Sequence, residues 1–174
     1  MVAGDSAGGN LSLTTALLDV TVGTHYLSRV VGYYPATTLV PDDELIDTAR
    51  YPATADKTLI DGYLNGCYGS MGQVAQWYAG KTDCRHPLIS PLYAEPALLA
   101  ALPPVLPCCG EFDPLRLQVD AFADQARRAG VDVTSVRYCG MVHAFMDKVG
   151  VLAQTETLLR DTVAFIRGEP WVQR

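Results

Sequence analysis

The sequence predicts an α/β fold, a parallel sheet flanked by helices, and three observations carry that expectation. Apolar runs at 28–34 and 105–109 are bounded by turn residues, as buried parallel strands are. Segments with apolar residues at helical spacing alternate with these runs along the chain. Short polar turns follow the strands directly, at the carboxyl ends where ligand chemistry gathers in such sheets.

In chain order, Met1-Val2-Ala3 reads as the last residues of a strand whose beginning lies upstream. Gly4-Asp5-Ser6-Ala7-Gly8 fits G-x-S-x-G, the spacing of a sharp strand-to-helix turn that lifts a serine clear of its neighbours. The flanking glycines remove the Cβ atoms that would block the approach of strand and helix. A helix follows over 9–20, with Leu11, Leu13, Ala16, Leu17 and Val20 on a broad apolar face. The strand at 28–34 stops at Pro35.

From 36 to 92 the character changes. Prolines at 35, 41, 52, 87 and 91 and glycines at 62, 66, 69, 72 and 80 divide it into short pieces. The better helices are 58–68 and 71–78, the pattern of a cap inserted over the sheet within a single domain spanning 1–174. Asp5, Tyr63, Tyr68 and Trp77 are substrate-contact candidates, with Tyr78 beside them. The aromatics equally suit a role in fastening the insertion to the core.

Pro107 shortens the ladder expected of the 105–109 strand, because it has no N–H to give. That strand empties into 110–116. A helix then runs to Gly130 with Leu115, Val119, Phe122, Ala123 and Ala126 on one face. A strand over 131–138, a turn over 139–146 and a helix ending near Gly168 complete the alternation.

Composition narrows the function. The net charge of −6 and the lack of a Lys/Arg cluster argue against a nucleic-acid partner. No apolar run approaches the roughly 20 residues that cross a bilayer, and no secretion signal opens the chain. The five cysteines show neither C-x-x-C pairing nor zinc spacing, which suits reduced thiols in a cytoplasmic protein. Nothing points to a metal or an organic cofactor.

Serine chemistry needs a base that titrates near neutrality. Of the three histidines, His25 lies in a polar loop and His86 in the exit from the insertion. His143 alone occupies a Gly-flanked turn at a strand's carboxyl end. A carboxylate must then orient the imidazole. Asp113 is the choice, with Glu111 the nearest competitor and helix capping before Pro114 the other use for Asp113. The order Ser6, Asp113, His143 is the order of α/β-hydrolases.

Gly4-Asp5-Ser6-Ala7-Gly8-Gly9-Asn10-Leu11 resembles the nucleophile motif of the hormone-sensitive-lipase-like esterases, which share the α/β-hydrolase fold. Glu111-Phe112-Asp113-Pro114-Leu115-Arg116 resembles their acid motif, and Gly140-Met141-Val142-His143-Ala144-Phe145 their histidine motif. The resemblance implies Ser6 as nucleophile, Asp113 as acid, His143 as base and the Ala7 amide as one oxyanion donor. Departures are Leu117 and Gln118 where acidic residues are usual, Ala144 for a glycine, and His86 for an aspartate in the cap's exit. The family's His-Gly-Gly-Gly oxyanion motif, which lies upstream of the serine, is also missing from the sequence.

The expectation is therefore a partial α/β-hydrolase, without the N-terminal strands, that cleaves carboxylic esters of short acyl chains through an acyl-serine. Two alternatives stand beside it. One is an impaired or inactive hydrolase fragment; the other is an amidase or deacetylase of the same fold. An open sheet edge would favour self-association.

Overall fold

The computed structural model describes residues 1–40, 45 and 56–170, with 63–70 described by backbone only. Among the described residues four strands form one parallel sheet: β1 (Val2–Asp5), β2 (Val30–Tyr33), β3 (Val105–Gly110) and β4 (Val136–Tyr138), side by side in that order. The helices are α1 (Ala7–Thr21), α2 (Lys57–Ala79), α3 (Pro96–Leu99), α4 (Arg116–Arg128) and α5 (Ala153–Arg167). The parallel sheet flanked by helices is the expected architecture.

Burial on both faces explains why β2 and β3 read as unbroken apolar runs. Val30 and Val105 pack with Leu13 and Leu17 of α1 and with Phe122 and Ala126 of α4. Val31, Tyr33 and Leu106 pack with Leu158 and Phe165 of α5. The Tyr33 hydroxyl meets Thr162 Oγ1 at 3.1 Å, so the polar end of this core residue is satisfied.

Two elements differ from expectation. The predicted pieces at 58–68 and 71–78 are one helix, α2, running through Gly69 and Gly72. A helical glycine costs only about 1 kcal/mol, and burial of Ala75 and Ala79 holds the helix beyond both. The strand expected over 131–138 pairs continuously only at 136–138, after an isolated bridge between Val105 and Val133.

Pro107 accounts for that gap. Val105 exchanges hydrogen bonds with Asp132 and Thr134, so odd-numbered β3 residues face β4. Pro107 is the next of these and has no N–H, so pairing resumes only at Cys108 and Val136.

Candidate active site

Ser6 occupies the bend between β1 and α1, with φ 51° and ψ −114°. Such a backbone costs a serine about 1–3 kcal/mol and persists only where the surroundings enforce it. Here they do: the Ser6 N–H donates to the Tyr33 carbonyl at 2.8 Å, and its own carbonyl accepts the amides of Asn10 and Ala36. A Cβ on Gly4 would collide with the Gly8 carbonyl, so only glycine lets helix and strand close together. Although Ser6 caps α1, its hydroxyl bonds to no helix amide. Instead Oγ stands 2.8 Å from His143 Nε2.

The imidazole's other nitrogen, Nδ1, lies 2.9 Å from Asp113 Oδ2 and 3.1 Å from Oδ1. Asp113 is fully buried, and its Oδ1 also accepts the Leu115 amide at 2.8 Å. With Nδ1 keeping its proton and donating it to the carboxylate, Nε2 is the acceptor for the serine hydroxyl. Glu111 turns elsewhere: its Oε2 accepts the Gly140 amide at 2.8 Å.

Tyr34 backs this arrangement. It is fully buried, carries a φ of 38°, and sets its ring 4.6 Å from the imidazole and 5.8 Å from the Phe145 ring, centre to centre. Its hydroxyl has no hydrogen-bond partner among the described residues. Burial first, and then the nearby Asp5 carboxylate, push the phenol above its ordinary range. Tyr34 is therefore neutral beside the imidazole.

A cavity of about 360 Å³ opens beside Ser6 and His143. Its apolar walls come from Leu11 and Ala7 of α1, from Ala36 and Leu39, and from Met71 and Val74 of α2. Pro114 and Leu115 close the side next to Asp113. Among the described residues, no group of three His, Cys, Asp or Glu side chains could hold a metal ion.

A family model described as alpha/beta hydrolase fold matches residues 1–147. The chain belongs to the α/β-hydrolase fold family. Among relatives of this chain, carboxylesterase NlhH of Mycobacterium tuberculosis is 32% identical over 149 residues, covering 84% of this chain and 43% of its own. Esterase LipI of the same organism is 29% identical over 164 residues, covering 94% and 48%. A hormone-sensitive lipase from a metagenome library, known by crystal structure, superposes with a TM-score of 0.77 at 26% identity, covering 97% and 53%. The chain thus spans about half the length of the curated relatives it matches.

Within the hydrolase frame, the sequence-based candidates separate. Ser6, Asp113 and His143 converge, and Ala7 is the first residue of α1, where its amide has no intrahelical acceptor. Trp77 is 72% exposed and is not among the cavity's lining residues, while its neighbour Tyr78 is. Asp5 is exposed and does not line the cavity either. The side chains of Tyr63 and Tyr68 lie outside the described residues. Tyr34, Leu39 and Met71 belong to no motif in the sequence, and Pro35 after Tyr34 favours extended backbone rather than the positive φ that Tyr34 adopts.

Cys108 and Cys109 are buried, and burial pushes the Cys108 thiol up to about 12. Cys84, Cys108, Cys109 and Cys139 are free thiols. No helix among the described residues is long and apolar enough to cross a membrane.

Proposed function

We propose that this chain carries the catalytic machinery of a carboxylic-ester hydrolase that works through an acyl-Ser6 intermediate. The observation that carries the reading is the unbroken contact from Asp113 through His143 to Ser6. Ser6 Oγ attacks the ester carbonyl as His143 Nε2 takes its proton, and Asp113 stabilises the resulting imidazolium. The carbonyl oxygen, now negative, turns toward the Ala7 amide at the start of α1. Collapse of this intermediate expels the alcohol, which receives the proton from Nε2. Water then repeats the sequence on the acyl-serine, releasing the acid and restoring Ser6.

The cavity supports a neutral, short acyl group as substrate. Its volume of about 360 Å³ is near the lower end for small-molecule sites, and aliphatic side chains make up most of its wall. Placed over the serine, α2 acts as the cap of the single domain. The relatives named carboxylesterase and esterase favour an ester over an amide.

A fluorophosphonate probe tests the reading directly, because it requires an activated serine and no particular alcohol. Covalent capture at Ser6, lost in Ser6→Ala, is the expected result. Capture at another residue, or none, would overturn it and favour an inactive fragment.

A further inference from the structure

Residues 36–39 follow β2 and border the cavity through Ala36 and Leu39. They lie in neither helix nor strand, so their backbone polar groups need partners elsewhere. The Leu39 amide donates to Ser90 Oγ at 2.9 Å and the Thr37 carbonyl accepts the Leu92 amide at 3.0 Å, while the remaining partners belong to the elements that carry the site. Ala36 donates to the Ser6 carbonyl at 3.2 Å, and its own carbonyl accepts Asn10 Nδ2 at 2.7 Å. The amides of Thr37 and Thr38 both donate to Gln118 Oε1, at 2.7 and 2.9 Å. The Thr37 hydroxyl donates to the Gln118 backbone carbonyl at 2.8 Å.

Gln118 sits in the first turn of α4, just after Asp113, and is only 2% exposed. Thr37 and Thr38 are equally shut off from water. No solvent molecule can replace the amide oxygen without the segment moving outward. Loss of that acceptor orphans two buried donors at once, the expensive way to lose a hydrogen bond.

We propose that Gln118 is a positioning residue for the acyl pocket. By holding the Thr37 and Thr38 amides it fixes the wall formed by Ala36 and Leu39, and so sets which acyl chains reach Ser6. This rests on the reading of Ser6 as nucleophile.

The test compares rates of Ser6 labelling by ethyl and octyl fluorophosphonates in the wild type, Gln118→Met and Gln118→Glu. Intact mass locates the adduct, and thermal melting checks folding. Gln118→Met, which keeps the length but not the acceptor, should shift the octyl-to-ethyl rate ratio about tenfold. Gln118→Glu, which keeps the acceptor, should return the ratio to within about twofold of wild type.

An unchanged ratio in folded Gln118→Met overturns the proposal, and so does an equal fall in both rates. If Gln118→Met fails to fold, Gln118→Asn takes its place; it keeps the amide but draws the acceptor oxygen back by one methylene from the Thr37 and Thr38 amides, and should shift the ratio in the same direction. An unchanged ratio there overturns the proposal as well. Wild type that does not label refutes the nucleophile reading, and the pocket assignment falls with it.

Discussion

His143 Nε2 and Ser6 Oγ are 2.8 Å apart although 137 residues of chain separate them. Ser6 follows β1 and His143 follows β4, at opposite ends of the described strand order. Three strand spacings, about 14 Å, lie between those ends. The 139–143 turn must therefore run back across the sheet, over the end of β3. Gly110 permits this crossing: a Cβ there would collide with the Met141 carbonyl. The Phe112 amide then pins the same carbonyl at 2.8 Å.

Gly110→Ala should consequently displace the histidine turn without touching any reacting group. A misplacement of about 1 Å costs on the order of a hundredfold in rate. We expect Ser6 phosphonylation to slow by about that factor, with stability lower by about 1–3 kcal/mol from the added bulk. Kinetic labelling and urea unfolding report the two effects separately.

The two carboxylates of the 110–116 turn should behave oppositely. Asp113→Asn removes the group that orients His143, and Ser6 labelling should fall about a thousand- to ten-thousand-fold. Glu111→Gln keeps an oxygen for the Gly140 amide, so its rate should stay within a few-fold of wild type. A larger loss in Glu111→Gln than in Asp113→Asn would reverse the assignment.

Tyr34 carries a buried hydroxyl with no partner among the described residues, while its ring supports the imidazole. Tyr34→Phe keeps the ring and removes the orphan, so stability should rise by about 1 kcal/mol with labelling unchanged. Tyr34→Leu loses the ring contact, and its labelling rate should drop. Urea midpoints at constant slope give the first result, and probe kinetics the second.

Burial raises the Cys108 thiol from 9.0 to about 12 in the folded state. In the unfolded chain the thiol ionises first, so protons leave the unfolded state and the native state loses ground. The contribution is intact below pH 9 and declines between about 9 and 12, by up to about 1.4 kcal/mol per pH unit. Cys108→Ala should flatten the alkaline limb of a stability–pH curve; an unchanged limb would assign it to other groups. Tyr138, also raised by burial, adds a loss that begins near pH 10.

Much of the fold was legible because its signals are local. The Gly4-Asp5-Ser6-Ala7-Gly8 turn announces strained backbone by its own composition, and Ser6 duly has a positive φ. Helices α1, α4 and α5 follow from spacing that any buried amphipathic segment must keep. The length of β4 was not legible, since Pro107 interrupts its pairing from another strand, through a missing donor. Nor was the continuity of α2, where packing outweighs four glycines.

The sequence by itself determined the strand–helix alternation and the reactive residue types, since backbone propensity and side-chain chemistry belong to each residue. Only the tertiary structure decided which carboxylate of the turn meets His143, Asp113 rather than Glu111, two positions apart in the chain. It also decided that the cavity is walled by Leu39 and Met71 rather than Trp77. Such choices turn on where one turn crosses a glycine and which face of a helix is buried, and both are set by parts of the chain far away in sequence.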